Sequence, residues 1–119
     1  MTRLDEIISD RFVDHSFPAF GGGPEGVRKS IKSLHQSFRA IEYAVEDAVF
    51  NEDTAAIRVV TTASHAGTFS GKPATGKRVT WWACDFLRVR EGKITDLWSV
   101  QDTIALLRGI GALSPQSDG

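Results

Sequence analysis

At about Glu42 the apolar pattern of this chain changes period, and that change limits the possible folds more than any other feature. Before it, apolar residues recur at helical spacing; after it, they alternate. Val27, Ile31, Leu34 and Phe38 form one stripe at spacings of four, three and four, which predicts a helix over about 24–38. Pro24 suits its first turn, and Glu25 complements the positive end of its dipole. Upstream, Leu4, Ile7, Ile8 and Phe12 also recur at helical spacing, predicting a short helix over about 3–10. Thr2 with Asp5 has the spacing of a capping box. Pro18 and the run Gly21-Gly22-Gly23 mark the connection between the two helices.

After the change, Ala55, Ile57, Val59, Thr61, Ala63 and His65 share one face of a long strand, and Arg58, Val60, Thr62 and Ser64 share the other. Gly67, Gly71, Pro73 and Gly76 predict a hairpin loop. A second strand is expected over about 77–90. Val79, Trp81, Ala83, Asp85, Leu87 and Val89 lie on one of its faces; Trp82, Cys84 and Phe86 lie on the other. Both faces are apolar, so both are expected to be covered, one of them by a partner subunit. Glu91-Gly92 reads as a tight turn into a strand over 93–101. Asp102 then caps a short helix over 103–108, stopped by Gly109 and Gly111. Helices first and antiparallel strands after indicate an α+β domain over residues 1–113, with a flexible C-terminal tail over 114–119. A curved sheet wrapped by helices leaves a concave interior for a small molecule.

Composition narrows the function. Fourteen Lys and Arg face fifteen Asp and Glu, with no basic stripe, so nucleic acid is not the expected partner. No apolar run is long enough to span a bilayer, and the first residues carry no signal-peptide core. The single cysteine, Cys84, cannot form an internal disulfide; it fits the reducing cytoplasm, and burial as a small hydrophobe is its expected role. His15, His35 and His65 show no metal-ligand spacing, and the glycine run follows no strand and precedes no Lys-Ser or Lys-Thr. Neither a metal nor another cofactor is expected.

One residue breaks the apolar pattern. Asp85 sits in the middle of an apolar strand face, where an unpaired carboxylate is costly. Three environments are open to it: a pairing with Arg58 or His15, solvent if the strand parity is shifted by one, or a pocket that raises its pKa and readies it to move a proton. Asp102 is first a helix cap, and it could also stand at the pocket mouth. His15 reads as a loop residue, although loops also carry function. His65 ends its strand as a rim residue or a turn-stabilising donor. Trp81, Trp82 and Trp98 are core or pocket wall.

Phe12-Val13-Asp14-His15-Ser16, followed by Gly23-Pro24-Glu25-Gly26-Val27-Arg28, resembles the start of a SnoaL-like polyketide cyclase domain. The stretch from His65 to Lys77 is similar to that family's hairpin loop. Asp85 to Ile94, then Trp98, Asp102 and Leu106 to Gly111, complete the pattern over about residues 12–112. Order and spacing carry this resemblance rather than any single motif. It implies the nuclear-transport-factor-2-like (cystatin-like) fold, a cone of curved antiparallel sheet wrapped by helices, here lacking the family's usual first helix. It also implies an apolar pocket, a homodimer across the sheet, and cofactor-free acid–base chemistry such as cyclisation, isomerisation or dehydration of a small hydrophobic carbonyl compound.

Asp85 matches the strand position where related ketosteroid isomerases hold a neutral, hydrogen-bonding Asp; the polyketide cyclases usually have His there. The cyclases' catalytic Asp falls on Ser99, and a serine cannot serve as that carboxylate. Asp85, His15 and Asp102 are therefore the expected catalytic residues. The expected pocket wall is Trp81, Trp98, Ser99, Val59 and His65. The alternative reading is a non-catalytic module of the same fold that binds a hydrophobic ligand or dimerises.

Overall fold

A computed structural model describes residues 2–113, with side chains from Leu4 onward. The predicted tail over 114–119 and the Thr2 capping side chain lie outside the described residues. The elements are α1 (Thr2–Ile7), β1 (Ile8–Asp14), a 3-10 turn (Pro18–Phe20), α2 (Gly23–Ser37), β2 (Phe38–Phe50), β3 (Thr54–His65), β4 (Arg78–Arg90), β5 (Lys93–Gln101) and α3 (Thr103–Gly109). The five strands form one sheet in the order β1-β5-β4-β3-β2. Among the described residues, no helix is long and apolar enough to cross a membrane.

The helix of the apolar stripe forms as expected, one residue offset from the predicted span at each end, with Pro24 in its first turn. The long strands, the hairpin loop and the Asp102-capped α3 also form where the pattern places them. At the β4–β5 turn, Glu91 and Gly92 both take positive φ, 52° and 78°. Two such residues in a row match the right-handed twist of the flanking strands.

The N-terminal segment differs from its expected form. The helix stops at Ile7, and Ile8–Asp14 is a strand lying parallel to β5. The sheet is therefore mixed rather than wholly antiparallel, and it does not close into a barrel. A register shift between Ile8 and Val13 explains the misleading period. The irregularity lets Ile8 and Phe12, four apart, both turn inward, at 6% and 4% exposure. Tertiary pairing has overridden a helical spacing of apolar residues.

The core lies between the sheet and α3. Phe38, Ala63, Val79, Trp81, Leu106 and Ile110 form its buried cluster, with Leu34 and Phe69 packed against it. The hairpin loop after β3 docks on the end of α2: the amides of Ala66 and Gly67 both donate to Ser37 O, and Ser37 Oγ donates to Thr68 O. A Cβ on Gly67 would lie 2.0 Å from Gln36 O, so only glycine permits this approach. His65 secures the same loop from beneath. It is fully buried, and its Nδ1 lies 2.9 Å from Thr75 Oγ1 and accepts from the Thr75 amide. Its Nε2 finds no partner among the described residues.

Candidate active site

Alternate residues of β4 face inward: Val79, Trp81 and Ala83 are buried, and Asp85 follows them half-buried. Across the sheet Asp85 pairs with Ile57 on β3 and Ser99 on β5. Ser99 Oγ donates to Asp85 Oδ1 at 2.5 Å, the short distance of a hydroxyl on a carboxylate. The Ser99 amide donates to Ser16 Oγ at 2.6 Å. Asp14 closes the chain of contacts, its Oδ1 accepting from the amides of Ser16 and Phe17, both at 3.0 Å. Asp14 is itself only 8% exposed. Burial pushes the Asp85 carboxyl above the usual carboxylate range, the Ser99 hydroxyl pulls it back, and the charge of Asp14 pushes it up again.

This carboxylate stands in the wall of a cavity of about 640 Å³. Phe17 and Phe20 of the 3-10 turn, Ile31 and Leu34 of α2, and Tyr43, Val59 and Trp81 of the sheet make most of the wall apolar. Among the described residues, Asp85 is the only acidic side chain lining it, and no basic side chain joins it. Gln101 and Thr103 stand where β5 passes into α3. Such a cavity suits a small apolar molecule with a polar group aimed at Asp85. A second cleft, about 610 Å³, is lined by Ser9, Arg11, Arg90, Lys93 and other polar residues of β1 and the β4–β5 turn, and Asp85 is not among them.

The structure brings together only part of the expected site. Trp81 and Val59 line the cavity, and Ser99 holds Asp85 from behind the wall. Trp98 does not line it: it pairs with Phe86 across the sheet and faces outward. His15 lies on that outer face too, stacked on Trp98 with ring centroids 4.2 Å apart and planes 3° from parallel. His15 Nε2 meets Asp96 Oδ1 at 2.9 Å, and that contact, then the one from Thr95, holds the Asp96 carboxyl below the usual range.

Asp102 is exposed and caps α3, its carboxylate accepting from the Ala105 amide; it does not line the cavity. His65 is committed to the hairpin loop and stands outside the cavity wall. Arg58 does not pair with Asp85. It sits outside, 4.8 Å from the Trp82 ring centroid and 3.8 Å from Asp47 Oδ2. Cys84 is exposed on the same outer face instead of buried.

One bulge explains the misplaced aromatic. Continuing the β4–β5 register from Arg90↔Lys93 and Val89↔Ile94 would set Trp98 opposite Asp85. The register shifts by one between Arg88 and Val89, so Asp96 pairs with Arg88, Ser99 with Asp85 and Trp98 with Phe86. A one-residue slip exchanges the faces of everything downstream. Sequence reasoning missed Asp14, Ser16 and Gln101. Asp14 and Ser16 belong to the segment whose parallel pairing had no local signal. Gln101 shares the parity of Ser99 and could have been found from it.

Residues 1–110 match the family described as SnoaL-like polyketide cyclase. The chain belongs to the SnoaL-like family. Solved structures agree with this SnoaL-like assignment. TsrD from Streptomyces laurentii is 26% identical, with a TM-score of 0.86 over 94% of this chain and 83% of that one. IdmH from Streptomyces antibioticus, a proposed polyketide cyclase, is 26% identical, with a TM-score of 0.79 over 92% and 86%. AclR from Streptomyces galilaeus, a proposed hydroxylase, is 27% identical, with a TM-score of 0.79 over 93% and 73%. No curated protein matches the chain. One SnoaL-like fold thus carries differently described activities, and the reaction must be argued from the site. Among the described residues, no three His, Cys, Asp or Glu side chains are grouped to hold a metal ion.

Proposed function

We propose that the protein is a cofactor-free acid–base enzyme acting on a small hydrophobic carbonyl compound, with Asp85 moving the proton. The supporting observation is the isolation of Asp85: one carboxylate in an apolar cavity, held by a serine hydroxyl and without a cation. A desolvated carboxylate of raised pKa is a stronger base than one in water, and its Ser99 contact fixes the oxygen pair. It would take a proton from the carbon next to the carbonyl and return it elsewhere, the step shared by cyclisation, isomerisation and dehydration. Family membership supports a cyclase-like role.

The test uses 1-tetralone in deuterated water, following loss of its C2 protons by NMR. The wild-type protein should accelerate this exchange above buffer, and Asp85→Asn should lower the protein-dependent rate by about 10² to 10⁴-fold. Unchanged exchange in Asp85→Asn would remove the assignment.

A second reading rests on Ser99, which the resemblance sets at the position of the cyclases' catalytic carboxylate. On it the cavity binds a hydrophobic molecule without converting it. Mass spectrometry of a bound ligand that leaves as a different compound would exclude this reading.

The expected partner is a second copy of the chain, docked across the outer sheet face where Trp82, Phe86 and Val100 are 40%, 41% and 75% exposed. The lone cysteine supports a reducing compartment, the cytoplasm.

A further inference from the structure

The cavity holds a second polar group whose orientation is determined by a neighbour. Trp81 Nε1 donates to Gln101 Oε1 at 3.2 Å. An indole nitrogen can only donate, so the carboxamide must present its oxygen to Trp81. The Gln101 amino group, with its two N–H donors, is not used in that contact. Gln101 is exposed in the cavity wall. The register pairs Ala83 with Gln101 and Asp85 with Ser99, which makes Gln101 the diagonal neighbour of Asp85 on the same face. Diagonal neighbours lie roughly 7–8 Å apart. Residues so placed are close enough for their side chains to reach one small molecule in the cavity that both line.

We infer that Gln101 is a catalytic residue, the hydrogen-bond donor that receives the substrate's carbonyl oxygen and holds the enolate formed there. This rests on the reading of Asp85 as the proton-moving group. In the step, the Asp85 carboxylate takes a proton from the carbon next to the carbonyl. The C–H electron pair becomes a C=C bond, and the carbonyl π pair moves onto oxygen. Gln101 donates one N–H hydrogen bond to that oxygen and transfers no proton. Return of the proton from Asp85 to carbon regenerates the carboxylate, so no oxidant or further reactant is needed. An amide held in advance by Trp81 need not reorient as the charge develops, which is where such donors gain their effect. The substrate class follows: an apolar molecule whose carbonyl oxygen points to the β5–α3 junction and whose acidic C–H points to Asp85.

The experiment uses the full chain and 1-tetralone carrying ¹³C at the carbonyl, with tetralin as the shape-matched hydrocarbon. In the wild type, the bound carbonyl signal should lie downfield of the free ligand. Gln101→Leu should lose that displacement and lower C2–H exchange by about 10² to 10³-fold, the usual effect of removing one such donor. Its affinity for tetralin should stay within about twofold of wild type, since a lost hydrogen-bond donor does not affect a hydrocarbon. Gln101→Glu, ionised at neutral pH, should lose the carbonyl displacement too, and serves if the leucine variant does not fold.

Gln101→Leu that keeps both the carbonyl displacement and the exchange rate overturns the proposal, as does a wild type in which the bound carbonyl is not displaced. A wild type that displaces the carbonyl through Gln101 but does not exchange C2–H overturns the Asp85 reading and leaves the donor in place. Exchange that needs Asp85 and ignores Gln101 overturns this inference alone.

Discussion

The two faces of β4 and β5 are made of similar residues and have opposite fates. Inward, Val79, Trp81 and Ala83 are at most 8% exposed, while outward Trp82 and Phe86 are 40% and 41% exposed. Apolar content therefore does not decide burial here; cover does. Leu106 of α3 and Ile110 just after it close over Val79 and Trp81, whereas the outer aromatics meet single side chains: guanidinium groups over Trp82 and Trp98, the stacked His15 on Trp98, and the Phe86 edge on Trp98. The polar groups differ in the same way. Asp96 outside has His15 and Thr95 as partners, and Asp85 inside has one hydroxyl. The outer carboxylate has a histidine beside it, and the inner one has a hydroxyl but no basic neighbour in the cavity wall, where a substrate could use it.

The largest effect should come from truncating neighbouring tryptophans. Trp81→Ala should cost about 3 to 5 kcal/mol in urea unfolding, the usual penalty for emptying a buried aromatic site. Trp82→Ala should cost about 1 kcal/mol or less, as an exposed ring with one cation contact. Equal losses would mean that the outer face is also covered in solution. Oligomeric mass tests that cover directly. Light scattering at micromolar concentration should give twice the 13.0 kDa chain mass, and Phe86→Lys should return it to one chain. A monomeric wild type would leave the outer aromatics as free surface.

A smaller effect has a defined sign. Asp85 has a folded pKa above the ordinary carboxylate value of about 3.9. Between those two values the folded state binds more protons than the unfolded, so stability falls as pH rises through that window. Asp85→Asn removes this penalty while its amide oxygen can still accept from Ser99. The variant should show a higher urea midpoint than wild type at pH 7, with the difference vanishing near pH 3. A lower midpoint at pH 7 would show that the ionised carboxylate supports the fold. The smallest effect belongs to the outer pair. Asp96 is held below its usual range, so its contribution is present above about pH 4 and is lost as pH falls through the folded value. At half-exposed positions such a pair is worth about 1 kcal/mol or less. His15→Ala should cost no more than that at pH 6 and leave tetralone exchange unchanged; a large loss of exchange would bring His15 back into the chemistry.

Local pattern determined a good part of this protein. The stripe from Val27 to Phe38 specifies α2, period-two alternation specifies β3 and β4, and Asp102 with Gly109 and Gly111 marks out α3. The same alternation singles out Asp85 as a carboxylate on an inward face, because strand parity needs only neighbouring residues. Tertiary structure alone decided that Ile8–Asp14 is a parallel strand, that Ser99 rather than Trp98 stands opposite Asp85, and that His15 faces outward. Each of these depends on a bulge or on pairing between distant segments. Register is a property of two strands together, and one extra residue in one of them reverses the faces of all that follow.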